Sequence, residues 1–142
     1  MSQPHPSASP SRMAACSNAE WEARVQLAAC YRIFDRMGWT ELIYNHISLR
    51  VPGEPGHFLL NPFGLHYSEV CASNLVKVDA KGQIVGDSRW PINPAGFTFH
   101  GAIHNTLRDA HCVMHVHTAM VAVVCTCITQ CASGSVWWMA PR

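Results

Sequence analysis

The chain has 142 residues, of which 49% are hydrophobic and 13% charged, and its formal net charge is +1. This length allows one domain with a substantial core and excludes two. The low charge content argues against a disordered chain. The near-neutral balance gives no electrostatic basis for binding nucleic acid or an acidic membrane. No apolar run reaches the ~20 residues that span a bilayer.

Cysteine and histidine are the unusual residue types, with seven and nine copies. An odd number of cysteines in a chain of this size predicts reduced thiols and a cytoplasmic protein. Residues 1–12 lack the apolar core of a secretory signal, which agrees with that location. The histidine count raises the expectation of a metal site, because neutral imidazole is the commonest metal ligand.

The N-terminal part of the chain is predicted to be a tail followed by a helix. Residues 1–16 are rich in proline and serine, so we expect them to be disordered. A helix is predicted over 19–37, because Ser17-Asn18 can cap its start, acidic residues occupy its first turn, and Gly38 can end it.

Two antiparallel hairpins are predicted next. Residues 45–51 alternate as a strand, 52–56 form a proline- and glycine-rich turn, and 57–60 return as a second strand. Residues 75–79 and 84–85 are expected to form the second hairpin.

A second helix is predicted over 94–107, with Asn93 as its cap and Pro94 at its first position. His100 and His104 are four residues apart and therefore share one face of this helix. They could bind a metal ion, but no acidic residue adjoins them. A structural or surface role is therefore the favoured interpretation.

The segment 110–118 has the pattern of a short buried strand that ends in a His-x-His pair. Because strand side chains alternate between faces, one face is predicted to carry Val113, His115 and His117. Two imidazoles on one face can bind one ion, with Zn–N bonds of ~2.0–2.1 Å, or can simply pack at the strand end against backbone carbonyls. The spacing leaves both interpretations open. Thr118 is then expected to cap an apolar helix that begins at Ala119.

The order of these elements indicates an α/β chain with a central, mostly antiparallel sheet and helices on its faces. Five segments also resemble, in order, those of the class II aldolase/adducin family. The resemblance implies a three-layer α/β/α sandwich, with the last strands missing here, and a homotetramer. The segments that carry it are Tyr44-Asn45-His46-Ile47-Ser48-Leu49-Arg50, Asn61-Pro62-Phe63-Gly64, Asn93-Pro94-Ala95-Gly96-Phe97-Thr98-Phe99-His100, Arg108-Asp109-Ala110 and His115-Val116-His117.

The resemblance also implies a metal-dependent lyase, an aldolase, or an epimerase that acts on a small hydroxy-carbonyl or sugar substrate. In the family's enzymes the His-x-His pair, here His115 and His117, binds zinc or another divalent ion together with a later histidine. The metal acts as a Lewis acid on the substrate oxygens, and a glutamate moves the proton. Asn45 and Gly64 correspond to substrate-binding positions.

Three departures from the family pattern weaken that expectation. The glutamate position falls on Gly96, and two phosphate-binding serines fall on Pro94 and Ala95. No histidine follows His117, so the third metal ligand is not found in the sequence. No catalytic residue is therefore assigned, the metal site is expected to be weak or incomplete, and the chain is expected to be weakly active or inactive.

The predicted organisation is a tail over 1–16, a family domain over 17–124 and a divergent tail over 125–142, which has the character of a truncation or frameshift. A small molecule and further copies of the chain are the expected partners, with no nucleic acid and no membrane. The alternative interpretation is a non-catalytic, adducin-like assembly module or a truncated pseudo-enzyme.

Overall fold

The computed structural model of the protein describes residues 16–117 and 122–127. Within these residues, five strands form one antiparallel sheet of order β3-β2-β1-β4-β5. The strands are β1 (His46–Arg50), β2 (Phe58–Leu60), β3 (Val76–Val78), β4 (Cys112–His117) and β5 (Ala122–Cys127). The helices are α1 (Asn18–Arg36), a 3₁₀ turn (Tyr67–Glu69) and α2 (Pro94–Thr106).

Both predicted helices form, and their caps are those expected from the sequence. The Ser17 hydroxyl accepts a hydrogen bond from the Glu20 amide at 3.1 Å, and Gly38 follows α1 with a φ of +67°. The Asn93 side chain accepts hydrogen bonds from the first amides of α2, where Pro94 has no N–H that could be left unpaired.

The helices pack on opposite faces of the sheet because the strand residues alternate. Ile47 of β1 and Leu59 of β2 join the core under α1, together with Tyr31. The neighbouring strand residues, such as Phe58 and Leu60, face the other way and pack against Phe97 of α2. This arrangement confirms the predicted three-layer α/β/α class.

One sequence expectation is met in part at the edges of the sheet, and another fails. The second hairpin closes through a bridge between Val78 and Ile84 and through hydrogen bonds from the amides of Asp79 and Val85, but residues 84–85 do not form a full strand. Beyond β4, residues 122–127 form β5 where a helix was expected. Valine and threonine, which favour strands, recur in this segment, and it pairs with β4, whose edge would otherwise lack partners.

The predicted end of the family domain, at residue 124, falls inside β5. Thr118 and Ala119, where a helix was predicted to begin, lie outside the described residues, and so do most of the two predicted tails. Among the described helices, neither is long and apolar enough to cross a membrane.

Candidate functional site

His115 and His117 lie side by side on the face of β4 that looks towards α2. Their ring centroids are 4.8 Å apart, and their Nε2 atoms approach each other to 3.2 Å. Both side chains are partly buried. The alternation predicted for β4 is therefore confirmed, whereas the metal-binding role of the pair stays a prediction.

The neighbours of this pair fix the orientation of His117. Its Nδ1 atom lies 2.7 Å from the Glu41 carboxylate, and its backbone amide donates to the Asn45 side-chain oxygen at 2.7 Å. Glu41 precedes Leu42, which has a positive φ of +46° and so turns the chain sharply at this point. When the Nδ1–H of His117 donates to the carboxylate, its Nε2 keeps a lone pair that faces His115.

The described residues meet part of the requirement for a metal site. Histidines that bind metals usually donate their second ring N–H to a carboxylate or carbonyl, as His117 does to Glu41. His115 has a buried Nδ1 atom with no partner among the described residues. However, no three His, Cys, Asp or Glu side chains in 16–117 come together as a metal-binding group, and a catalytic zinc needs about three protein ligands. The structure therefore supplies two candidate ligands.

His46, at the start of β1, is paired with His115 in the sheet, and the two rings lie 4.8 Å apart. The same ring packs against the backbone of Gly96 on α2. A Cβ atom at position 96 would lie 2.8 Å from Cδ2 and 3.0 Å from Nε2 of His46, closer than side chains approach each other. Position 96, to which the family resemblance assigned an acid, is thus closed to a larger residue by an imidazole.

A line of buried polar groups continues from His46 into the protein. The His46 Nδ1 atom lies 2.8 Å from His100 Nε2, and the hydroxyl of Ser48 lies 2.6 Å from His100 Nδ1 and 2.8 Å from His104 Nε2. His104 Nδ1 lies 3.1 Å from the carbonyl oxygen of Ala110. His100 and His104 are both buried and hydrogen-bonded within the protein, so the surface role that the sequence allowed is wrong, whereas the structural role stays a prediction.

Burial is the main cause of the lowered pKa values of these histidines. It lowers the pKa of His46 from its usual 6.5 to about 4, with help from His115 and His117. It lowers the pKa of His100 to about 3 and that of His104 to about 4, where neighbouring histidines and Arg50 add smaller contributions. The pKa of His115 is lowered by the same burial and by His117.

The two residues predicted to bind substrate have different surroundings. Asn45 is buried, its oxygen holds the end of β4, and its Nδ2 atom has no partner among the described residues. Gly64 lies in an exposed turn with a φ of +90° and open space around its Cα. Their role in substrate binding stays a prediction.

Sequence reasoning missed Glu41 and His46 as members of this site. Glu41 lies in an irregular turn with no motif, and only the pairing of β1 with β4 brings His46 beside His115. A groove of about 810 Å³ lies near the other end of β1, lined by Arg50, Arg108 and other residues, and the histidine pair is not part of its lining.

Comparison with known proteins identifies the family to which this geometry belongs. The family model described as "Class II Aldolase and Adducin N-terminal domain" matches residues 25–141. The chain belongs to this family. Rat alpha-adducin is 53% identical over 103 residues, which cover 71% of this chain and 14% of adducin. A Pseudomonas aeruginosa protein named as an unconfirmed class 2 aldolase is 54% identical over 110 residues, or 77% of this chain and 42% of that protein.

Solved structures of family members share the fold. The crystal structure of an aldolase II superfamily protein from Pseudomonas syringae has a TM-score of 0.74 and 50% identity, and covers 77% of this chain and 44% of that one. L-fuculose 1-phosphate aldolase from Glaciozyma antarctica has a TM-score of 0.67 and 30% identity, with 70% and 41% covered. The chain spans about two fifths of the length of the curated bacterial relatives that it matches.

Proposed function

We propose that this class II aldolase-family chain carries the metal-binding part of a lyase or epimerase site for a small hydroxy-carbonyl substrate. The supporting observation is the approach of the His115 and His117 Nε2 atoms to 3.2 Å, with Glu41 fixing the ring of His117. When bound there, a divalent ion such as Zn²⁺ supplies a Lewis acid for the carbonyl and hydroxyl oxygens of the substrate.

Each residue around that pair would have its own role. His115 and His117 would bind the ion, Glu41 would hold His117 in its ligating tautomer, and Asn45 fixes the strand end from which both project. Gly96 offers no acid, so the chain contributes no proton-transferring carboxylate at that position. We therefore propose that the chain alone binds metal loosely and turns over substrate slowly or not at all.

The wider setting follows from the family. We propose that the protein acts in the cytoplasm as a homotetramer, without nucleic acid or membrane as partners. A tetramer would also let other subunits or solvent fill the coordination positions that His115 and His117 leave open.

Zinc titration of the purified chain tests this proposal. Isothermal titration calorimetry should show loose binding that is lost in His115→Ala and in His117→Ala, because each variant removes one of the two ligands. His66→Ala, which removes an exposed histidine that caps the 3₁₀ turn, is the matched control and should bind as the parent does. Binding that survives both ligand substitutions would place the metal elsewhere and contradict the proposal.

A non-catalytic assembly module is the second candidate, and the fit of His46 against Gly96 favours it. This packing removes the space for an acid at the position where family enzymes have one. The module would assemble with further copies of itself, and His115→Ala with His117→Ala would leave its oligomeric state unchanged. Analytical ultracentrifugation measures this directly, and a monomer at all concentrations would contradict the assembly role.

A further inference from the structure

The polar side chains that lie between β1 and α2 supply no ligand to the proposed metal site, and they are almost completely buried. Ser48, His100 and His104 are at most 2% exposed, and His46 at its outer end is 8% exposed. Buried polar groups are costly unless each finds a hydrogen-bond partner, and here each group faces the next. The line therefore forms one network with a defined direction.

The direction is set by the inner end of this network. The carbonyl oxygen of Ala110 can only accept, so the Nδ1–H of His104 must donate to it, and the Nε2 of neutral His104 must accept. Ser48 then donates its hydroxyl proton to His104 Nε2. Its oxygen is left to accept from the next histidine along the line.

The tautomers of the two outer histidines, His100 and His46, follow from this arrangement. His100 donates its Nδ1–H to the Ser48 oxygen, so its Nε2 accepts from the Nδ1–H of His46. His46 is then left with an unprotonated Nε2. One backbone carbonyl thus determines the tautomers of all three neutral imidazoles.

We infer that this network holds Nε2 of His46 as a fixed hydrogen-bond acceptor for a hydroxyl group of the substrate, beside His115 and His117. The inference deepens the proposed function and rests on it for the choice of ligand. His46 would contact the substrate, whereas Ser48, His100 and His104 are positioning residues that act through it.

The surroundings of His46 Nε2 support this assignment. The ring contacts His115 at a centroid distance of 4.8 Å, which places it at the proposed metal site. The Nε2 atom lies against Gly96, the family position of the missing acid, and no hydrogen bond to it is found within residues 16–117. Gly96 therefore makes the room that His46 occupies.

An acceptor without a proton selects the chemical class of its ligand. Nε2 of His46 can accept from a hydroxyl but repels the acceptor-only oxygens of a phosphate or carboxylate. The residues at the family's phosphate-binding serines, Pro94 and Ala95, have no hydroxyl either. The expected substrate is therefore an unphosphorylated hydroxy-carbonyl compound.

Imidazole ¹⁵N NMR of the metal-free full chain reports the tautomer of each histidine in the network and so tests the inference directly. His46, His100 and His104 should each show a protonated Nδ1 and an unprotonated Nε2 at neutral pH. In Ser48→Ala the hydroxyl that links His100 to His104 and the Ala110 carbonyl is lost, and His46 should shift towards the tautomer with a protonated Nε2. Ser88→Ala, on a loop outside the network, should leave the His46 signals in place. A protonated Nε2 on His46 in the parent protein would overturn the inference, and this measurement needs no variant to fold.

The ligand is tested with dihydroxyacetone, which carries hydroxyls, and with acetone and sulfate, which have no hydroxyl proton to donate at neutral pH. Of these probes, only dihydroxyacetone should shift the His46 Nε2 resonance, both with and without added zinc. The shift should be smaller in Ser48→Ala. No shift under either condition, or an equal shift with acetone, would overturn the inference. Loss of zinc binding would instead count against the proposed function, so the two failures are distinguishable.

Discussion

The imidazole of His46 occupies the space that any side chain on Gly96 would need. A Cβ built on Gly96 would come within 2.8 Å of His46 Cδ2. The His46 ring can therefore hold this position only because residue 96 has no side chain. The glycine at position 96, where the family resemblance implied an acid, therefore fits the position of the His46 ring.

Gly96→Ala should destabilise the protein, although alanine normally favours a helix over glycine by about 1 kcal/mol. The added methyl group must displace the buried ring of His46, and overpacking of this kind costs about 1–3 kcal/mol. Urea unfolding measures the change. Thr98→Ala, at an exposed position on the same helix, is the control and should have little effect.

The pairing of the two residues is tested by a double-mutant cycle. His46→Ala removes the obstructing ring, so Gly96→Ala should cost less in that background than in the parent. A cost that is the same in both backgrounds would show that His46 does not limit position 96.

Stability should fall in mild acid because His100 and His104 are neutral when folded. Their folded pKa values, about 3 and about 4, lie below the unfolded value of about 6.5. The unfolded chain therefore binds more protons between these values, so stability is complete above about pH 6.5 and decreases as the pH falls. Each group contributes a slope of up to about 1.4 kcal/mol per pH unit in that window.

Urea unfolding at about pH 7.5 and about pH 5 measures this slope. A His100→Gln variant lacks one of the two groups, so its pH dependence should be shallower whatever its absolute stability. Equal slopes for the variant and the parent would mean that His100 does not titrate differently on folding.

Glu41→Gln should weaken zinc binding by about 10–100-fold while the protein remains folded, since a carboxylate that accepts from the second N–H of a ligating histidine orients the ring and raises its basicity. Glu41 is mostly exposed, so little packing is lost. Calorimetric titration measures the affinity, with Glu22→Gln on the exposed face of α1 as the matched control. Unchanged affinity in Glu41→Gln would remove Glu41 from the site.

Much of this fold was predictable because its signals are local. The caps at Ser17 and Asn93 are short-range patterns, and alternation alone placed His115 and His117 on one face. The strand at 122–127 was missed because an apolar run has no period that separates a strand from a buried helix.

The site was less predictable because its contacts are long-range. His46 reaches His115 and His100 only through the sheet register and the packing of α2, at separations of more than fifty residues along the chain. Nothing in the spacing of His100 and His104 indicated that Ser48 lies between them. Such contacts appear only when the layers are assembled.

Aldol cleavage of fuculose- or ribulose-type phosphates should not be appreciable, even with zinc or manganese. A positioned proton-transfer group typically contributes about 10²–10⁴-fold, and Gly96 supplies none. Gly96→Glu should not restore activity, because the new side chain meets His46 and only two metal ligands are in place. Release of the two- or three-carbon product is the assay, against a metal-free control. Robust metal-dependent turnover by the parent chain would contradict this assignment.

The central claim is that His115 and His117 together hold a divalent ion, and anomalous diffraction from zinc-soaked crystals tests it most directly. One anomalous peak is expected at about 2.0–2.1 Å from the Nε2 atoms of both residues. A zinc ion found at another position, with no metal between the two Nε2 atoms, would contradict metal binding by this pair.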